Sequence, residues 1–387
     1  MRTPTAHLGF GLLGLLHVSI ARQVRLSALK DTTQDRIEAS SWCDRGCYEA
    51  EALQTYRSFD AAAPKVEVVL ANDRCDGGLT FIEPDGWQAY GSGLAVFDGR
   101  GDLVWTPTRW AETRDARVQS FDNALYMTFW VRDGDSDVGH YIMLDETYTV
   151  VKEIRPGGGI YGDVQSLLIT DDGTAIITID LQTKRRSRTG ASTRHDHGSV
   201  FQEIDLESGA LIFEWHASDH PTDSSEARHL ARTQALPNGN TLRYGSESSG
   251  FVELSPEGQR LCEMRIGRTR HTAQRGRSSR VYRVSKFPWV GHPHTKPSIA
   301  VRPEGDGDEH EASLYVSWNG ATEVRAWVLQ SGPTADSTAF INHLTVERQG
   351  FETRIAVPVN SERHLRVLAL DKDWRFLGHS DSVPRRG

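Results

Sequence analysis

From about residue 64 onward, apolar and polar positions alternate in short runs broken by turns. One unit recurs: an apolar run, an acidic or glycine-containing turn, and a second apolar run. It reads LAVFDGRGDLVW at 94–105, YIMLDETYTVVKEI at 141–154, FQEIDLESGALIFEW at 201–215 and FVELSPEGQRLCEM at 251–264. A last copy, RVLALDKDWRFLG, covers 366–378. The turn positions Asp98, Asp145 and Asp205 stand 47 and 60 residues apart, and Ser255 follows 50 residues later. Alternation with period two predicts strands, and hairpins returning at such intervals predict propeller blades.

Further strand–turn–strand units sit between these hairpins. QSLLITDDGTAIITI at 165–179 turns at Asp-Asp-Gly, and TQALPNGNTLRYG at 233–245 turns at Pro-Asn-Gly-Asn. Gly and Asn accept the positive φ that tight hairpins need. No helical period is sustained through the body of the chain. The expected fold is all-β: a β-propeller of roughly four-stranded blades over 64–330. An irregular segment, 22–63, precedes it, and a small C-terminal β segment, 331–387, follows as a cap or as closing strands. A pair of β-sandwiches is the competing architecture.

The N-terminus has a different pattern. Arg2 and His7 precede the apolar stretch Leu8–Ala21, with small residues Ser19 and Ala21 at its end. Residues 1–21 read as a secretory signal peptide, with an uncleaved signal anchor as the alternative. The stretch is too short for a comfortable bilayer crossing, so no stable membrane span is expected once it is removed. The expected location is the secretory pathway or the exterior. Four cysteines remain, Cys43, Cys47, Cys75 and Cys262. Three pairings are open. A Cys43–Cys47 clip with a Cys75–Cys262 tie is one, and buried free thiols are the other reading. The chain contains no Asn-x-Ser/Thr sequon.

Charge narrows the function classes. The net charge is −8, with 25% charged and 38% hydrophobic residues. This balance argues against a polybasic nucleic-acid binder and against extended disorder. The basic runs 184–188 and 265–280 and the acidic run 304–311 read as solvated loops. There is no Gly-x-Ser-x-Gly elbow, phosphate-binding loop or zinc-protease helix motif. Asp133 to Gly139 has the alternating acids of a calcium loop. It lacks glycine at the sixth position and glutamate at the twelfth, so it reads as a turn. His195 and His197, two apart on a strand, point the same way and pose as a metal or acid–base pair, against the plainer reading of a polar loop ending. No metal and no cofactor is expected.

Several longer segments carry a resemblance. FQEIDLESGALIFEW, LPNGNTL at 236–242, YRVSKFPWVGHPHTKP at 282–297 and SWNGATEV at 317–324 fall in the order found in the fungal branch of the arylsulfotransferase family. GLAVFDGRGDLVW, TFW and ITDDGTAIIT add weaker matches, and together they span about residues 75–380. The chain resembles that family, whose members are secretory-route propellers. The resemblance implies sulfuryl transfer by channel histidines, one of them a transient nucleophile. Two departures oppose it. The family's Asp-x-His-Glu-Phe segment reads Asp163-Val164-Gln165-Ser166-Leu167, so Gln165 stands at the histidine position. An amide neither shuttles a proton nor accepts a sulfuryl group usefully at neutral pH. Trp215–His220 is also followed almost at once by Gln234, without the family's two further histidine motifs.

The resemblance therefore points to a shortened, repurposed propeller. It is also similar to the fungal hetero-Diels–Alderases that join a tropolone quinone methide to humulene in meroterpenoid pathways. The expected activity is a cyclisation of a small aromatic or terpenoid substrate. Gln165, His140 and His197 are the candidate catalytic residues. Trp130 and Trp318 are candidate stacking walls, and Gln202, Gln234 and Asn319 candidate donors to a substrate oxygen. These polar groups can equally be blade-to-blade hydrogen-bonding groups. A working arylsulfotransferase using His140, His195 or His197, and a non-catalytic binding propeller, are the alternatives.

Overall fold

The computed structural model describes residues 53–84, 93–110, 112–134, 138–160, 163–186, 193–219, 233–244, 250–266, 281–303 and 312–385. The expected signal peptide, Cys43, Cys47 and the acidic run lie outside these residues. Among the described residues the fold is all-β, and the one helical element is a 3-10 turn at Ala217–Asp219. Strands β1 (Leu53–Gln54) and β2 (Ala63–Pro64) form a minimal pair.

Four antiparallel sheets make the blades. Blade 1 holds β4 (Leu79–Pro84), β5 (Ala95–Phe97), β6 (Leu103–Trp105) and the late strand β19 (Val281–Phe287). Blade 2 holds β7 (Thr113–Phe121), β8 (Ala124–Arg132), β9 (Gly139–Leu144) and β10 (Val150–Ile154). Blade 3 holds β11 (Asp163–Ile169), β12 (Thr174–Arg186), β13 (Thr193–Asp205) and β14 (Leu211–His216). Blade 4 holds β15 (Thr233–Ala235), β16 (Thr241–Tyr244), β17 (Gly250–Leu254) and β18 (Arg260–Ile266), and adds β3 (Val66–Leu70) at its outer edge.

Strands from distant parts of the chain complete blades 4 and 1. Blade 4 borrows β3 from before blade 1, and blade 1 borrows β19 from after blade 4. A Cys75–Cys262 disulfide adds a covalent tie, joining residues 187 apart in sequence. It is compatible with the oxidising secretory route that the sequence suggests.

Apolar layers fill the interfaces of blades 1 and 2, of blades 2 and 3 and of blades 4 and 1, and strands such as β9 are buried along their whole length. Phe81, Val96, Trp105, Phe129, Ile142 and Leu144 form one layer between blades 1 and 2. Trp130, Tyr141, Leu167, Ile177 and Ile179 form another between blades 2 and 3. Ile82, Phe97, Leu242, Phe251 and Val284 join blade 4 to blade 1.

The repeated turn found in the sequence is one device used five times. Asp98 Oδ1 accepts the N–H groups of Arg100 and Asp102, and Asp145 Oδ1 those of Thr147 and Thr149. Asp205 Oδ1 accepts from Ser208 N, and Ser255 Oγ from Glu257 N and Gln259 N. Such side-chain-to-backbone bonds are what give Asp and Ser their turn preference.

The fifth copy lies in the C-terminal β segment, outside the blades. Asp371 Oδ1 caps its turn in the same way, but in a β-sandwich rather than a blade. One layer is β20 (Ser298–Pro303), β21 (Ala312–Ser317) and β24 (Glu352–Val357). The other is β22 (Ala326–Gly332), β23 (Ile341–Glu347), β25 (His364–Leu370), β26 (Phe376–His379) and β27 (Val383–Pro384). Leu314, Val316, Trp327, Leu329, Ile355 and Val367 pack between the layers. The sandwich begins at Ser298, so the boundary expected between 330 and 331 falls inside β22. The local pattern reports the hairpin and cannot report which layer that hairpin joins.

Candidate functional site

The inner strands β7, β11, β15 and β19 all begin at the same end of the blades. At the opposite end the strands are joined by the tight capped turns. Strands β4, β12, β16 and β18 end, and β5, β13, β17 and β19 begin, at the first end, called here the loop end.

Two irregularities mark the inner strands at the loop end. In β7 the pairing to β8 jumps from Arg114↔Trp130 to Arg117↔Thr128, so Asp115 and Ala116 share one partner position. Asp115 has φ +52°, a left-handed conformation costly to a residue with a Cβ. In β11 the pairing jumps between Val164 and Ser166, which makes Gln165 the extra residue. Bulges of this kind re-aim side chains and concentrate beside functional sites.

A bulge frees backbone donors from the ladder, and here a carboxylate from blade 1 takes them. Glu83, on β4, accepts Asp115 N at 2.9 Å and Ala116 N at 2.5 Å. The kink turns the Asp115 carboxylate towards three strands. Its Oδ2 accepts Tyr141 Oη–H at 2.6 Å and Leu167 N at 3.0 Å. Its Oδ1 accepts Arg117 Nε at 3.1 Å and pairs with Arg283 of β19. Arg117 Nη2 also donates to Ser166 Oγ at 2.9 Å, next to Gln165. Blades 1, 2 and 3 are thus tied at one buried carboxylate.

The acids are buried and the arginines are partly open. The Asp115 side chain is 2% exposed, while Arg114, Arg117 and Arg283 are 28%, 31% and 25% exposed. Glu112 pairs with Arg114 at 2.8 Å and with Arg132 at 2.7 Å. Four guanidinium groups therefore face three carboxyl groups, Glu83, Glu112 and Asp115. Burial pushes the Glu83 carboxyl up to about 7, against the opposite pull of Arg283, the Ala116 N–H, Arg117 and Arg114. The cluster thus presents fixed cationic donors. Its Tyr141 hydroxyl is committed as a donor to Asp115, and Ser166 Oγ accepts from Arg117.

His140 lies at the same end of blade 2, on β9. Its Nδ1 is 2.8 Å from Asp133 Oδ1, and its Nε2 is 3.6 Å from Glu153 Oε2 and 3.4 Å from Arg155 Nη2. Burial and Arg155 lower its pKa, with Asp133 and Glu153 opposing, so the ring is held neutral at neutral pH. Asp133 also pairs with Arg155 at 2.9 Å, and its N–H closes a turn on Val138 O.

The other sequence candidates have different places. His197 pairs with Gln182, and His195 with Lys184, where β12 and β13 run on past the Asp163↔Asp180 start of blade 3. The side chains of Gln165, His195 and His197 lie outside the described residues, as do residues 220–232. Gln202, Gln234 and Asn319 are backbone clips. Gln202 accepts Gly157 N and donates to Gly157 O and Glu214 Oε2. Gln234 accepts Lys286 N and donates to Lys286 O, both at 2.8 Å, stitching blade 4 to blade 1. Asn319 accepts Thr106 N and donates to Thr106 O, stitching the sandwich to the segment that follows β6.

The two tryptophans are packed in cores. Trp130 is 1% exposed, and a Cβ at Gly139 would stand 2.4 Å from its indole carbons. Trp318 lies in the sandwich core with its indole N–H on Thr295 O at 2.7 Å. The structure therefore brings the Gln165 backbone position and His140 to the loop end. It gives Trp130, Gln202, Gln234, Trp318 and Asn319 packing and stitching positions instead.

A polar cleft of about 280 Å³ lies between the blade 1 turn at Asp98–Asp102 and the sandwich. Its Arg325 pairs with Glu347, and its Arg348 donates to the carbonyls of Ala321 and Gly350. Among the described residues no group of three or more His, Cys, Asp or Glu is arranged to hold a metal. No helix there is long and apolar enough to cross a membrane.

No protein-family model matches the chain, and no curated protein matches it. Solved structures show remote likeness. Hydrazine synthase of Kuenenia stuttgartiensis is 14% identical over 85% of this chain and 81% of its own, with a TM-score of 0.23. Sucrose-6-phosphate hydrolase from Lactobacillus gasseri is 12% identical over 76% and 67%, with a TM-score of 0.24. A thermostable family-43 glycoside hydrolase is 13% identical over 84% and 94%, with a TM-score of 0.23. Likeness at this level carries no argument about activity.

Proposed function

We propose that the chain is a natural-product tailoring enzyme. Its loop end takes a small aromatic or terpenoid substrate through a polarised oxygen and promotes a cyclisation. A hetero-Diels–Alder reaction between a quinone-methide-type intermediate and an alkene fits. Two bonds form across the six-membered array, no group leaves, and negative charge builds on the carbonyl oxygen as the ring becomes aromatic. Arg117 and Arg283, oriented by the buried Asp115 and partly open, are suited to that oxygen. Fixed donors aimed at developing charge, and two reactants held together, supply catalysis without a nucleophile. The partly open guanidinium groups of Arg117 and Arg283, fixed on the buried Asp115, are the observation that carries this reading.

The second reading is sulfuryl transfer from an aryl sulfate to a phenol. The lowered pKa of His140 favours it, since an imidazole must be unprotonated to attack sulfur. One experiment separates the two. Purified protein is given an aryl sulfate donor and a phenol, and transfer and sulfurylated histidine are sought by mass spectrometry. The expected result is no transfer above a heat-killed control. Deleting the gene in the producing organism should then leave an uncyclised metabolite to accumulate. Transfer that H140Q abolishes would replace the cyclase reading with the second one. An unchanged metabolite profile after deletion would instead favour a binding propeller.

A further inference from the structure

Glu83 is an uncommon group to find beneath a set of arginines. It is 2% exposed and fills the two backbone donors freed by the β7 bulge. The charged groups around it are Arg283 from β19, and Arg114, Asp115 and Arg117 from β7. Asp115 is in turn bonded to Tyr141 of β9, while Arg114 shares Glu112 with Arg132 of β8. Two of the arginines facing Glu83 are the proposed oxygen-binding donors. Any anionic oxygen placed on them competes with Glu83 for the same positive charge.

We propose that Glu83 takes up a proton when an anionic ligand occupies the Arg117–Arg283 donors, so that the loop end binds anions together with protons. This rests on the reading of the loop end as an oxygen-binding site and adds its regulation. When the ligand's charge replaces that of Glu83, the buried carboxyl becomes neutral and the arginines stay balanced. One N–H of the bulge then loses part of its acceptor, which links ligand occupancy to the Asp115 kink. Burial already holds the Glu83 carboxyl at about 7, so the proton is exchanged near neutral pH rather than in acid. Linkage then fixes the sign: affinity for the anion rises as pH falls, by at most about tenfold per pH unit for one proton.

The test uses benzenesulfonate, which does not titrate in this range. Its binding to the full chain is followed by calorimetry at pH 7.5 in two buffers of different ionisation enthalpy. The expected result is uptake of a substantial fraction of a proton, with affinity rising several-fold from pH 8 to pH 6.5. E83Q should bind without uptake and with little pH dependence. If E83Q does not fold, H140Q decides the source: uptake persisting there supports Glu83, and uptake lost there overturns the proposal. Binding without proton uptake by the native protein also overturns it, while leaving the oxygen-binding reading standing. No binding of the anion at any pH removes both.

Discussion

At the turn end of the blades, Asp98, Asp145, Asp205 and Ser255 each cap their own hairpin, accepting N–H groups two to four residues ahead. At the loop end, Glu83, Asp115, Leu167 and Arg283 meet from β4, β7, β11 and β19. The turn end is repetitive and its capping bonds are local. The loop end is unique, non-local and built on buried charge. The contrast suggests a division of labour: the turns set the period of the blades, and the opposite end concentrates charge where the inner strands converge.

Removing Asp115 should have the largest effect. D115A leaves Arg283, Arg117, the Tyr141 hydroxyl and Leu167 N–H without their shared acceptor. Breaking a buried ionic hub typically costs roughly 3–5 kcal/mol. Urea unfolding should report a loss of that order, and a loss under 1 kcal/mol would show that the hub is not a structural tie. Next comes the disulfide. The C75S/C262S pair should lose about 2–4 kcal/mol, because a long loop is no longer closed in the unfolded chain. Thermal unfolding with and without reductant checks this, and equal midpoints would mean that the β3–β18 pairing alone holds the closure.

The mutation R283Q sharpens the comparison further. It should leave the blades folded while lowering turnover about a hundredfold, the scale of losing one fixed donor to a developing charge. Full turnover in R283Q would move the chemistry away from the loop end. D145A is the smallest change. It removes one cap on a turn, worth about 1 kcal/mol, and should leave anion affinity untouched. A change in affinity would show that the two ends are coupled.

The same contrast explains what the sequence could reveal. The hairpins and their turn residues were legible because each turn is decided within five residues. The blades followed from their spacing. The sandwich was less legible, since the 366–378 hairpin is locally identical to a blade hairpin and differs only in what it packs against. The loop-end cluster had no local signal: Glu83, Asp115 and Arg283 are far apart in sequence, and none sits in a recognisable catalytic pattern. Arg283 lies inside one of the segments that carry the family resemblance, and nothing there singled it out. Gln202, Gln234 and Asn319 read from the sequence as donors to a substrate oxygen or as blade-to-blade hydrogen-bonding groups. An amide that clips a neighbouring backbone has the same sequence appearance as one that meets a ligand.

The borrowed strands also dictate an order of events during synthesis. Blade 1 is the first blade to leave the ribosome, yet its inner strand β19 is translated only after blades 2, 3 and 4. Until then β4 is a bare edge, and its hydrogen-bonding groups face whatever is nearby. The nascent chain therefore carries an unpaired strand edge through most of its own translation, and the β19–β4 pairing comes as a late, long-range step. A chain stopped before residue 281 lacks the strand that seals blade 1. For expression work, truncation from the C-terminal side should thus be limited to the sandwich, and slow synthesis at low temperature should favour a soluble product.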